Sequence, residues 1–195
     1  MKAPLSFESK QIILASQSPR RKELFSGLDI PFTVETREID ERFPENLKAG
    51  EIALFLAQEK SREFESTLAE NQIVITADTI VWVDDHVLNK PNDFGDACRM
   101  LMEMSGKDHE VFTGVSILSK SKKVSFVDRT LVSFTELTSE EIEYYIHKFR
   151  PFDKAGAYGV QEYIGYIGIH KLEGSYYNVM GLPIHKLYME LKSFL

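Results

Sequence analysis

Very little in this chain points to disulfides, zinc, membranes or nucleic acid polymers. There is one cysteine, Cys98, so no intrachain disulfide can form and a reducing compartment is compatible. The five histidines (His86, His109, His147, His170 and His185) have no zinc-ligand spacing. Neither GxxxxGK[ST] nor GxGxxG occurs, so the two best-known glycine-rich phosphate loops are absent. No apolar run reaches bilayer length, and the opening MKAPLSFESKQ lacks the apolar stretch of a signal peptide. A cytoplasmic protein is expected. Positive charge is also in deficit: the formal net charge is −7, which argues against a nucleic acid polymer or an anionic membrane as partner. Repeats, low-complexity tracts and linkers are missing too. The 195 residues are 43% hydrophobic, enough for a sizeable core, and one domain over 1–195 is expected.

Strand-like and helical patterns alternate along the chain. Strands are predicted at 11–15, 32–36, 72–76, 80–83, 86–88, 111–118, 124–134 and 165–172. Helices are predicted at 19–28, 51–68, 93–104, from the capping box Thr138-Ser139-Glu140-Glu141 to about Lys148, and at 183–194. The strand at 72–76 is apolar enough for burial on both faces. Two hairpins are implied, one with its tip at Asp84-Asp85 and one around 119–123. The fold class is therefore α/β with a mixed, twisted sheet and flanking helices.

Ser16-Gln17-Ser18-Pro19-Arg20-Arg21 lies between the first strand and the first helix. Ser18 suits an N-cap and Pro19 the first helical position, where its missing N–H costs nothing. Free N–H groups, the positive helix end and two forked guanidinium groups would meet there, which suits a polyphosphate. The plainer alternative is an ordinary helix start with two solvated arginines. Asp78, in Ala77-Asp78-Thr79, is expected at the end of a buried strand, where it would hold a cation or take a proton from water; otherwise it caps a turn. Lys90-Pro91 offers a stiffened cation, Asp40-Glu41 a second carboxylate pair, and Lys60 ends one helix face. Each of these has a solvated alternative. In Asp153–Gln161 small residues allow close approach of a ligand, and Gln161 carries the donor and acceptor that suit a nucleobase edge. Gly174–Asn178 reads as mostly structural, with Ser175 and Asn178 open as site residues. Cys98 is expected to pack in the core.

Taken together and in order, LASQSPRRKEL (14–24), LAQEK (56–60), ADTIV (77–81), NKP (89–91), MSGKDHEVFTGV (104–115), DKAGAYGVQ (153–161) and GSYYNVMGLP (174–183) resemble the Maf family of nucleoside triphosphate pyrophosphatases. The resemblance implies two lobes around a deep cleft, similar to inosine triphosphate pyrophosphatases. It implies hydrolysis between the α- and β-phosphates, assisted by a divalent cation (Mg or Mn), with a small nucleoside triphosphate as partner; a homodimer stays open. By the same resemblance Asp78 activates water, and Ser16, Arg21, Lys60 and Lys90 hold the triphosphate. Glu41 and Asp78 serve the metal. Arg20, Thr79 and Gln161 match the positions linked to base choice in the dTTP/UTP branch. Glu162 stands where the family often has glycine, and its carboxylate would either face solvent or reshape the base pocket. The alternatives are a nucleotide-binding regulator of septum formation with little turnover, or the same chemistry on another base such as 7-methyl-GTP.

Overall fold

The computed structural model describes residue 7 and residues 9–195. The rest of the N-terminal stretch read above for a signal peptide lies outside the described residues. A seven-stranded mixed sheet carries the molecule, in the order β2 (Phe32–Val34), β1 (Gln11–Leu14), β3 (Gln72–Val83), β5 (Asp108–Ser119), β6 (Lys123–Phe134) and β7 (Ile169–Glu173). Strand β4 (His86–Leu88) pairs with β3 off this path. β1 runs parallel to β2 and β3; the other pairings are antiparallel, as the two hairpins require. The tip between β3 and β4 has positive φ at both Asp84 (44°) and Asp85 (64°), a backbone that aspartate tolerates better than most residues.

β3 organises everything else. The sequence suggests two strands broken at Ala77-Asp78-Thr79, but the ladder to β5 continues unbroken from Ile73–Ser119 to Trp82–Glu110. Asp78 therefore lies within a strand and not at its end. Its two edges differ, however. β5 covers one edge along nearly its whole length. On the other, β1 pairs Gln72–Ile75 and β4 pairs Val81–Val83, so no strand covers 76–80. That gap in the sheet is the floor of the cleft.

Alternation along β3 sends its residues to two layers. Ile73, Ile75 and Ala77 pack with Ile12, Leu14, Phe25 and the helix α7 (Ile184–Leu191). Val81 and Val83 pack in a separate core with the helices α3 (Phe94–Met104) and α4 (Ser139–Phe149). These cores are the two lobes, and the gap lies between them. On the opposite face Ile80 meets Ile52, Ala53 and Leu56 of α2 (Gly50–Arg62). α2 approaches so closely at Gly114 that a Cβ there would lie 2.2 Å from the Ala53 carbonyl oxygen. Only glycine lets α2 seat against β5 at this depth.

The remaining elements follow the sequence with three differences, one of them a short helix, α6 (Tyr176–Val179), where a loop is expected. α2 stops at Arg62, and the predicted continuation to Leu68 is a series of turns whose Phe64 and Leu68 pack on Ile13 and Val74. The predicted strand at 165–172 begins instead as a short helix, α5 (Tyr163–Gly168), with β7 after it. The Glu162 carbonyl accepts from the Gly165 and Tyr166 N–H groups, and the helical turn sends both Ile164 and Ile167 to the α3–α4 core. Cys98 is half-buried against that core, and burial raises its thiol pKa.

Candidate active site

Helix α1 (Pro19–Ser26) starts as its sequence implies. The Ser18 hydroxyl accepts from the Arg21 N–H, and Pro19 holds the first position. The short β1–α1 junction thereby brings Ser16, Arg20 and Arg21 against the open edge of β3. The resulting cleft has a volume of about 440 Å³. Ser16, Arg20, Arg21, Glu41, Lys60, Asp78, Thr79, Lys90 and Gln161 all line it, so the residues the resemblance assigned to the site come to one place.

The two arginines differ in kind. Among the described residues, Arg21 spends four of its five N–H donors on protein acceptors. Its Nε donates to the Gly181 carbonyl (2.7 Å) and its Nη1 to the Ala77 carbonyl (2.9 Å) and the Ser16 hydroxyl (3.5 Å). Its Nη2 donates to the Thr79 hydroxyl (3.0 Å). Ala77 is in the unpaired stretch of β3, so Arg21 takes the place of a missing strand there. Burial pulls its pKa below the ordinary arginine value, Asp78 and Glu41 push it back up, and Arg20 lowers it further. Arg20, by contrast, donates through Nη1 to Asp153 Oδ2 (2.9 Å) and otherwise turns to the cleft.

Asp78 and Thr79, adjacent on β3, point to opposite faces, and both reach the cleft because it cuts through the edge of the sheet. Lys60, at the far end of α2, is mostly buried and lies 2.5 Å from Asp78 Oδ1 and 2.9 Å from Glu41 Oε1. Lys90 Nζ lies 3.9 Å from Glu41 Oε2 and stays largely exposed. Burial works against the Glu41 charge, but the hydrogen bond from Lys60 and the charges of Lys60, Lys90 and Arg21 outweigh it and hold the carboxyl below its ordinary pKa. The Asp40-Glu41 pair is split: Asp40 turns to Arg42 at the surface and only Glu41 enters the site. Thr113 donates to the Asn178 carbonyl (3.0 Å), so the 2.9 Å contact between the Thr79 and Thr113 hydroxyls takes its proton from Thr79. Asn178 itself is fully buried and serves this framework; neither it nor Ser175 lines the cleft.

At the other end, Gln161 Oε1 is buried and has no hydrogen-bond partner among the described residues. Glu162 faces neither solvent nor the cleft. Its carboxylate accepts from the Tyr145 hydroxyl and lies 3.1 Å from Lys154 Nζ, which also reaches Asp153 Oδ1 at 2.8 Å. The same Tyr145 hydroxyl accepts from the Gly159 N–H (3.0 Å). Burial first, and Glu162 second, raise the Tyr145 pKa and keep it a donor. Asp153 is likewise held below its ordinary pKa, by Lys154 and then Arg20 against the cost of burial. The sequence reading gave Tyr145 and Lys154 no role. The available signal was a tyrosine between Ile142 and Ile146 on an apolar helix face, whose hydroxyl had to find a partner.

The geometry can bind a polyanion beside an ionised carboxylate and read a polar ring edge at the far end. The family described as Maf-like protein matches residues 11–194. The chain is 51% identical over 188 residues to a dTTP/UTP pyrophosphatase of Phocaeicola vulgatus, covering 96% of this chain and 97% of that one. It is 50% identical over 185 residues to a dTTP/UTP pyrophosphatase of Parabacteroides distasonis, covering 94% and 96%. Among solved structures the Ham1 protein of Staphylococcus aureus shares the fold at a TM-score of 0.51 and 13% identity, covering 95% of this chain and all of that one. No helix among the described residues is long and apolar enough to cross a membrane. With a family match over nearly its whole length and relatives half-identical to it from end to end, the chain belongs to the Maf-like protein family.

Proposed function

We propose that this protein hydrolyses dTTP and UTP to the nucleoside monophosphate and pyrophosphate, in the cytoplasm. The observation that carries the reading is the convergence of Asp78, Lys60, Arg21, Lys90 and Ser16 at one end of a cleft whose other end is Gln161. The names of the half-identical relatives support the choice of substrate.

Asp78 is the base. Water attacks the α-phosphorus and gives a proton to the Asp78 carboxylate. The bond from the α-phosphorus to the bridging oxygen breaks, and pyrophosphate leaves with that oxygen. Lys60 holds the Asp78 carboxylate in place. Lys90, largely exposed and lightly paired, meets the charge that grows on the leaving group. Arg21 supplies fixed positive charge from the floor, with a single N–H left for an oxygen of the substrate.

A divalent cation fits this site in a limited way. Glu41 and Asp78 already converge on one positive atom, Lys60 Nζ, so the pair can face a common cation. Among the described residues no cluster of three or more acidic, histidine or cysteine side chains is present. Magnesium is commonly held by one or two carboxylates together with substrate phosphates, which matches a two-carboxylate site. Bound there by Glu41 and Asp78, the ion would neutralise phosphate charge and polarise a phosphoryl oxygen.

Thymine and uracil present an N3–H donor between two carbonyl acceptors. Gln161 lines the cleft, and its Oε1, buried and without a partner among the described residues, is the acceptor that such an N3–H would satisfy; leaving it unpaired with the wrong base makes discrimination large. The test is a panel of dTTP, UTP, dCTP and 7-methyl-GTP with magnesium or manganese, followed by pyrophosphate release. The expected result is pyrophosphate from dTTP and UTP, lost on chelation. Orthophosphate as the product, or no turnover of either nucleotide, would refute the reading.

A further inference from the structure

A glutamine amide is a two-way reader. With Oε1 forward it accepts from the N3–H of thymine or uracil; flipped, its NH2 serves the N3 acceptor of cytosine while Oε1 takes the N4 amino group. Gln161 can therefore select a base only if something fixes which way round its amide sits. Lining the cleft is not enough.

The structure holds such a device behind the loop. A Cβ built on Gly159 would lie 2.9 Å from Glu162 Oε2 and 3.1 Å from Gln161 Nε2, so the carboxylate and the amino end of the amide share the space over one Cα. The positive end of the amide dipole thus lies on the side of the negative charge, and Oε1, buried and without a partner among the described residues, is left as the acceptor. Glu162 is itself fixed at both oxygens, by Tyr145 on Oε2 and by Lys154, only 7% exposed, at 3.1 Å from Oε1. Lys154 continues through Asp153 to Arg20, and all three line the cleft.

We propose that Glu162 is a positioning residue for base choice: its carboxylate sets the orientation of the Gln161 amide and so makes the site prefer the imide edge of thymine and uracil to the amino edge of cytosine. The inference rests on the pyrophosphatase reading above. Glu162 touches no substrate atom, and its effect is expected in KM and in the choice between bases.

The test compares dTTP with dCTP in the intact protein and in Glu162→Gln, which removes the charge and keeps an acceptor for Tyr145. The ratio of the two kcat/KM values, taken in one preparation, cancels any loss of folded protein. In Glu162→Gln that ratio is expected to fall about tenfold, through a higher KM for dTTP and a lower KM for dCTP, with kcat little changed. Tyr145→Phe, which frees one carboxylate oxygen, should shift the ratio the same way by less. A ratio equal to that of the unaltered protein in both variants overturns the proposal, as does an equal fall for both nucleotides. Should the unaltered protein turn over neither nucleotide, the pyrophosphatase reading fails on its own. The base preference is then read by calorimetric titration of dTTP and dCTP, where an unaltered preference in Glu162→Gln overturns this inference separately.

Discussion

The two ends of the cleft are built in different ways. At the acidic and cationic end Asp78 lies within β3, Lys60 on α2 and Arg21 on α1, each seated by the cores behind it, while Ser16, Glu41 and Lys90 come from connecting segments. The Gln161 end is a loop, with positive φ at Gly156 (67°) and Ala157 (58°), and side chains from Tyr145 to Asp153 hold it in shape. Phosphoryl chemistry needs charges fixed to within a fraction of an ångström, which strands and helices provide. Base choice needs one polar edge presented correctly, which a well-tethered loop can do. The difference suggests that changes at the first end alter rate and stability, and changes at the second alter selectivity.

The strongest way to break this contrast is Asp78→Asn, which is expected to lower kcat on dTTP by about 10²–10⁴-fold. Undiminished pyrophosphate release would remove Asp78 from its role. Next comes the seat of α2. Gly114→Ala puts a methyl group against the Ala53 backbone and should cost about 1–3 kcal/mol in urea unfolding, with turnover falling as Lys60 is carried away from Asp78. Arg21→Lys should cost a similar amount, about 1–3 kcal/mol, because one ammonium cannot replace a fork that satisfies the Gly181 and Ala77 carbonyls together. Arg20→Lys, by contrast, should move stability by less than about 0.5 kcal/mol and appear in KM. Equal stability losses for the two arginines would erase the distinction drawn between them.

A pH-dependent effect belongs to the Gln161 end. His109 is buried against Tyr158, which lines the cleft, and burial lowers its pKa from 6.5 to about 3. The unfolded chain therefore takes up a proton that the folded one refuses. Its contribution to stability is full above pH 6.5 and declines as pH falls from there toward 3, with a slope approaching about 1.4 kcal/mol per pH unit. His109→Gln should flatten the stability curve in that window. Parallel curves for the two proteins would mean that His109 does not titrate on unfolding.

Much of this was readable in the sequence where the cause was local. The Ser18-Pro19 helix start, the Thr138 capping box and the Asp84-Asp85 tip depend on residues within one turn of each other, and they form as expected. The boundary errors came where distant partners decided. Ala77-Asp78-Thr79 looks like a break because it is polar, yet β5 pairs straight across it. Gly165–Gly168 reads as a strand until the Glu162 carbonyl starts a helical turn. Lys60 looked like a surface cation, and only α2 lying across Gly114 brings it to Asp78.

By itself the sequence determined most of the element types, the mixed sheet and the set of charged side chains, because hydrophobic period, caps and turn residues act over short range. The tertiary structure alone decided that β3 is left uncovered between β1 and β4, that Arg21 closes that gap while Arg20 pairs with Asp153, and that Glu162 turns inward behind Gln161. Those outcomes depend on which polar groups find partners after the chain has packed. Partners far apart in sequence, such as Arg21 and Gly181 or Arg20 and Asp153, leave no local pattern to read.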